Sequence, residues 1–198
     1  MNESIEYRVG LPESCRRRAA ELYEEAFRQK FAPIVNDRDK LIEILAESIQ
    51  PEFALAALVD ERLVGLAGFH RGGTSFTGGG SVGDIIKQLG LLRGIWAILL
   101  IAILLERKAD EGELLMDGIV VDPSMRGKGI GTGLFESLSV YALENGYNRI
   151  KLDVVDINVR ARRLYESQGF TAAKTTHHPY LKPFMGISST TTMIKKLK

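Results

Sequence analysis

Cysteine is almost missing from this chain. Cys15 is the only one in 198 residues, so no disulfide can close within the chain, and the composition fits a reducing cytosol. Neither sign of charge is in surplus. Twenty-six Lys and Arg face 25 Asp and Glu, for a formal net charge of +1. No global field therefore draws the chain onto nucleic acid, and any affinity for phosphate has to be local. Long apolar runs are missing too. The longest, Ile95 to Leu105, would reach roughly 16 Å as a helix, about half of a bilayer core. No transmembrane segment is expected. The opening Met1-Asn2-Glu3-Ser4-Ile5 lacks the basic-then-apolar order of a signal peptide. A cytoplasmic location follows as the expectation. His177 and His178 form a pair with no other metal-type cluster beside it, so no metal site is expected.

What remains is an ordinary globular composition, 45% apolar and 26% charged, in a chain of single-domain length. One domain over residues 1–198 is expected. Ser4 to Val9 alternates as a first strand. Leu11-Pro12-Glu13 opens a helix, with Ala19, Leu22, Tyr23, Ala26 and Phe27 at helical spacing. Asp37 or Asp39 caps a second helix carrying Leu41, Ile44, Leu45 and Ile49. Phe53–Val59 and Leu63–His70 read as a hairpin turning at Asp60-Glu61-Arg62. Gly72 to Gly83 holds six glycines in twelve residues and reads as a mobile loop. A long apolar helix is expected over 85–108. Strands over 113–121 and 150–155 then alternate with helices over 129–144 and 159–167. Strands over 170–177 and 189–196 close the chain. The late alternation implies parallel pairing and the hairpins imply antiparallel edges, so the sheet should be mixed.

The chemistry is concentrated in Val120 to Gly133, V-V-D-P-S-M-R-G-K-G-I-G-T-G. A strand runs into a glycine-rich turn that opens a helix. Helix N-termini carry free N–H groups and partial positive charge, glycines admit a ligand close to the backbone, and Arg126 and Lys128 add charge. Such a loop holds a pyrophosphate. It is no Walker loop, because Gly129 follows Lys128. A dinucleotide spacing does occur at Gly78, Gly80 and Gly83, but it lies inside the glycine-rich stretch, several residues beyond the strand.

This segment resembles motif A of the GNAT superfamily of acyl-CoA-dependent N-acyltransferases through Arg126, Gly129 and Gly131. A second block, Leu152 to Phe170, is similar to motif B, with Asn158 seven residues before Tyr165, then Glu166, Gly169 and Phe170. The resemblance implies an α+β fold: a mixed, mostly antiparallel sheet of about seven strands flanked by helices. It implies acetyl-CoA as acyl donor, with pantetheine in a V-shaped gap between the strands over 113–121 and 150–155. Ile119, Val120 and Val121 would meet the pantetheine arm. The backbone of Arg126, Gly127, Lys128, Gly129, Ile130, Gly131 and Thr132 would hold the pyrophosphate. Asn158 would contact the cofactor from the far side. Tyr165 would serve as general acid toward the leaving thiolate or contact the cofactor, and Asp153 as base toward the amine.

Asp117 and Asp156 rival Asp153, since alternation places each carboxylate on one face without saying which face holds substrate. His177 and His178 lie where such enzymes bind acceptors, although two surface histidines before Pro179 read as well. One of Arg160, Arg162 and Arg163 would reach the adenosine 3′-phosphate, against a solvated helix face. Arg16 to Arg18 read as solvation.

The chain departs from the family by an insertion over 72–112 between the third and fourth strands. Its helix has two apolar faces, Leu91, Leu92, Ile95, Ile98, Leu99 and Ala102 against Trp96, Leu100, Ile103 and Leu104. Burial together with a homodimer contact is expected. The expected function is N-acetyl transfer to a primary amine of a small molecule, peptide or protein. The alternative is a non-catalytic acyl-CoA-binding or protein-interaction module.

Overall fold

A computed structural model of the chain describes residues 4–31, 35–79 and 109–198. Among the described residues, eight strands form one sheet: β1 (Glu6–Val9), β2 (Ala54–Val59), β3 (Arg62–Arg71), β4 (Thr74–Ser75), β5 (Glu113–Val121), β6 (Arg149–Val155), β7 (Thr171–His177) and β8 (Ser189–Lys196). Their spatial order is β1-β2-β3-β5-β6-β8-β7, with the two-residue β4 paired to β3 off that path. Every pairing is antiparallel except that of β5 with β6. The late strands thus contribute one parallel pair. β8 returns between β6 and β7 and leaves β7 as an edge, exposed along its length.

Helices cover both faces. On one face lie α1 (Arg16–Phe31) and α2 (Arg38–Ser48), on the other α3 (Ile130–Glu144) and α4 (Val159–Ser167). A short α5 (Lys182–Met185) follows β7. Burial on both sides explains why β2 is apolar throughout rather than alternating. Leu55, Ala57 and Val59 join the α3-side core, while Ala54, Ala56 and Leu58 join the α1-side core. The β2–β3 turn is Asp60-Glu61, both at positive φ (47° and 62°). Such mirror-image turns match the twist of the strands they join. Asp37 caps α2 by accepting from the amides of Asp39 and Lys40 at 3.0 and 3.1 Å.

The helix expected over 85–108 lies outside the described residues, as do Gly80 and Gly83. The start of the glycine-rich stretch is not the loose loop expected. The amide of Gly79 donates to Ser48 O at 2.9 Å, and Gln50 N donates to Phe76 O at 2.8 Å. Phe76 is fully buried and fills the space above Gly68, where an added Cβ would lie 2.9 Å from Phe76 Cβ. One aromatic among the glycines supplies the burial that anchors the segment.

The β5–β6 pairing is short. It covers Glu113↔Arg149, Leu114↔Ile150 and Leu115↔Lys151 and then stops, although β5 continues to Val121 and β6 to Val155. Glu113 fastens the paired end. Its carboxylate is 1% exposed and lies 3.4 Å from Arg149 Nε and 3.1 Å from Lys151 Nζ, and it accepts from the amide of Asp110 at 3.0 Å. Desolvation pulls the Lys151 ammonium pKa down, but the hydrogen bonds and charges of Glu113 and Asp110 outweigh it and leave it raised.

Removing a buried partner strands the charges it held. Glu113→Ala should cost about 2–3 kcal/mol, tempered because both cations reach solvent. Urea unfolding at neutral pH measures this, and Glu113→Gln should lose less.

Candidate functional site

The strands separate because β5 carries a bulge. Gly68 pairs with Gly118 and Phe69 with Met116, so Asp117 is the extra residue against β3. A bulge bends its strand and re-aims a side chain. Met116 lies in the α3-side core. Gly118 faces α1, where an added Cβ would sit 2.5 Å from the Phe27 ring. The Asp117 carboxylate meets Nε2 of His70, and the two side chains are 5% and 20% exposed. Phe69 belongs to the α3-side core, so alternation puts His70, and with it the Asp117 carboxylate, on the α1 side.

The same logic places Asp153. Ile150, Leu152 and Val154 belong to the α3-side core, so Lys151, Asp153 and Val155 point the other way. Asp117 and Asp153 therefore share one face, on opposite banks of the gap. Asp153 accepts from Thr192 Oγ1 at 2.6 Å. Asp156 instead fixes a turn, accepting from the amides of Ser188 (3.1 and 3.2 Å) and Ile157 (3.1 Å).

At the open end of β5, Asp122 organises the chain. It caps the 3-10 turn Pro123–Met125 by accepting from Ser124 N at 2.9 Å and Ser124 Oγ at 2.6 Å. Arg18 Nη2 of α1 reaches it at 2.7 Å, so Arg18 is structural rather than a solvating charge. Arg16 also binds inward, donating to Ala46 O at 3.1 Å and Ile49 O at 2.6 Å. The Ser124 hydrogen bonds, with help from Arg18 and against desolvation, lower the Asp122 pKa from 3.8 to about 2.

The glycine loop follows. Gly127 and Gly129 sit at φ +82° and +79°, and a Cβ on either would meet nothing within 4 Å. Their conformation, not crowding, excludes side chains, and the space beside them is open to a ligand. The first amide in the α3 ladder is that of Gly133, which donates to Gly129 O at 3.0 Å. The amides of Gly129, Ile130, Gly131 and Thr132 precede that bond and stand outside the ladder. Gly133 admits Tyr7, whose Oη would lie 2.2 Å from an added Cβ. Ile130 is buried, so only its backbone is available to a ligand.

The other expected residues are placed as follows. Arg126 turns its amide back to Pro123 O at 3.4 Å and its Nε to Val121 O at 3.1 Å. Lys128 Nζ lies 3.3 Å from Met125 Sδ. Thr132 Oγ1 accepts from Gln168 Nε2 at 3.3 Å. Ile119, Val120 and Val121 pair with β3 on one edge, while the edge toward β6 is past the last rung. Asn158 Oδ1 caps α4 through Ala161 N at 3.1 Å. Tyr165 is buried beside Phe135 and Phe170, with ring centroids 5.8 and 6.0 Å away. Arg162 pairs with Glu166 at 3.0 Å, and Arg160 and Arg163 are exposed. His177 is exposed on the edge strand, and Nδ1 of His178 lies 3.1 Å from Tyr180 Oη. Among the described residues, no three His, Cys, Asp or Glu side chains cluster as metal ligands, and no helix is long and apolar enough to cross a membrane.

His70 escapes the sequence patterns considered above. The available signal was the Asp117-Gly118 step inside an apolar strand, a mark of a bulge, opposite a strand that ends in histidine.

Asp122 holds its charge in the fold down to a lower pH than in the unfolded chain. Its contribution is therefore complete above about pH 4 and fades as pH falls toward 2. Asp122→Ala should lower the urea midpoint at pH 6, and the gap from wild type should close toward pH 2.

Known proteins share this fold. A putative acetyltransferase from Salmonella typhimurium, solved with its cofactor acetyl-CoA, superposes with a TM-score of 0.60 at 17% identity, over 98% of this chain and 94% of that one. The ribosomal-protein-S18-alanine N-acetyltransferase from Escherichia coli gives 0.58 at 16% identity, over 98% and 95%. At these identities the likeness concerns the fold. In sequence, thialysine N-epsilon-acetyltransferase from Bos taurus is 36% identical over 56 residues, 28% of this chain and 33% of that relative. The match thus spans about a third of the curated relative. The Acetyltransferase (GNAT) family matches residues 16–170, most of the chain. The chain belongs to the GNAT family of acetyltransferases.

Proposed function

We propose that this enzyme transfers an acetyl group from acetyl-CoA to a primary amine of a small molecule or a peptide. The observation that carries the reading is the gap between β5 and β6, opening past Leu115 and Lys151 and leading to the free amides of α3. An acyl-CoA fits it by two features. Open space beside Gly127 and Gly129 lets a pyrophosphate approach the helix N-terminus. From Val121 back to Leu115, β5 presents about 20 Å of strand, along which an extended pantetheine arm can lie. The acyl group then rests near the closed end of the gap.

The residue roles follow from this placement. Gly129, Ile130, Gly131 and Thr132 donate amides to the pyrophosphate. Arg126 and Lys128 add charge beside it, and Ile119 to Val121 offer their free edge to the arm. Asn158, by starting α4, sets the far wall. Asp117 and Asp153, on one face across the gap, draw the acceptor ammonium inward. The ammonium gives one proton to Asp153, the neutral amine attacks the thioester carbon, a second amine proton leaves to solvent as the carbon–sulfur bond breaks, and Tyr165 supplies the proton that the departing thiolate takes. The thialysine and alanine acceptors in the relatives' names support a primary amine.

Gly129→Val places a β-branched residue at φ +79° and a side chain in the pyrophosphate's path. Calorimetry should show acetyl-CoA affinity lost while the circular dichroism spectrum is kept. Unchanged affinity would remove the loop from the site. Tyr165→Phe should lower kcat at least about 100-fold with acetyl-CoA affinity kept. The assay is thiol release with thialysine and with a peptide beginning in alanine. Tight acetyl-CoA binding without release by either amine would favour the non-catalytic reading.

A further inference from the structure

The gap between β5 and β6 has unequal sides. On the α3 side, Met116, Leu152 and Val154 of the two strands are buried in one core with Phe135. A packed interior of this kind leaves no room for an added chain. At the closed end, the rungs through Leu114 and Leu115 block the way. An acyl group carried to that end by the pantetheine arm therefore has to turn toward the α1 side.

An aromatic ring stands there. The apolar layer on this side draws on α1, α2, β2, β3 and Val120 of β5, and among the described residues it takes none from β6 or β8. The layer thus ends over β5, at one bank of the gap. Phe27 is at its margin, packed against the layer but only half-buried. The outer end of its ring rests on Gly118, where an added Cβ would lie 2.5 Å from Cζ and 3.2 and 3.5 Å from the two Cε atoms. Gly118 is three residues past Leu115, in the stretch of β5 that has left β6. The ring is also braced. Tyr23 lies 4.5 Å from it between centroids, and Tyr23 in turn lies 5.5 Å from Phe76. Tyr23 and Phe76 are buried, so the space behind the ring is filled and the ring does not withdraw before a ligand. A side chain at position 118 could have filled this layer from the strand itself. With glycine there and the ring reaching over from α1, the backbone of β5 stays bare up to the ring's edge.

We infer that Phe27 sets the length of the acyl chain, its ring leaving room for acetyl beside Gly118 and excluding butyryl. The inference rests on the acetyltransferase reading above and adds a donor specificity to it. A butyryl chain, longer by two methylenes, enters the volume that the ring fills. Fit of a single methylene in an apolar pocket changes specificity by about 10- to 200-fold, so the exclusion is large enough to measure.

The test compares wild type, Phe27→Leu and Phe27→Ala as full chains. Each is titrated by calorimetry with CoA, acetyl-CoA and butyryl-CoA, and thiol release is followed with thialysine. Wild type should bind acetyl-CoA at least about 10-fold more tightly than butyryl-CoA. Phe27→Ala should bring the two within about threefold of each other, with Phe27→Leu between, while the affinity for CoA itself stays as in wild type. The ratio of kcat/KM values for the two donors should move in the same order. The binding comparison needs no acceptor, so it reads the inference whichever amine the enzyme uses. Phe27 is half-buried, and circular dichroism should show both variants folded; if Phe27→Ala is not, Phe27→Leu carries the comparison. A wild type that takes butyryl-CoA as readily as acetyl-CoA, a ratio unchanged in the folded variants, or an equal loss of affinity for CoA and both acyl-CoAs would overturn the inference and leave acetyl transfer intact. A wild-type chain that binds neither CoA nor acetyl-CoA would remove the reading beneath it, and this role with it.

Discussion

Two strands that begin as a pair and then part are the feature on which the rest of the molecule depends. β5 and β6 share three rungs, pinned by Glu113 between Arg149 and Lys151, and then diverge at the Asp117 bulge. A parallel pair normally runs on until a strand ends, because each unmade backbone bond in a buried sheet carries a cost. Here the sheet is held closed at one end and bent open beyond it. The backbone edge left inside the gap is available to an extended ligand in place of a strand.

The surroundings keep that gap in shape. Gly118 lets the Phe27 ring of α1 approach β5 beside the bulge, and Gly68 lets Phe76 do the same on β3. At the mouth, Asp122 ties the turn after β5 to α1 through Arg18. The glycine loop is therefore carried by an ordered turn rather than a loose one. The α1 side thus braces the bulge at one end of the gap and the turn at the other.

Much of this was legible in the sequence, because the signals were local. Strand and helix periods placed β5, α3, β6 and α4 to within a residue or two, and the glycines after Arg126 announced a helix start built for an anion. The order β6-β8-β7 was not legible, since nothing in residues 171–196 says which strand returns inward. The pinning of Gly72–Gly79 was missed because one buried Phe76 outweighed the loop composition around it. Arg16 and Arg18 read as solvated charges because their partners, the α2 carboxyl end and Asp122, are distant in sequence. His70 was missed for the same reason: its partner lies 47 residues away. That Asp117 and Asp153 share a face became legible only with the bulge. Residues 80–108 of the insertion over 72–112 lie outside the described residues, so its apolar faces keep only their sequence reading.

A crystal structure of the protein with acetyl-CoA decides whether the parted strands are the cofactor site. The pantetheine arm is expected between β5 and β6 beyond Leu115 and Lys151, with the pyrophosphate on the amides of residues 129–132. A β5–β6 gap closed or empty, with acetyl-CoA bound elsewhere on the chain, would contradict it.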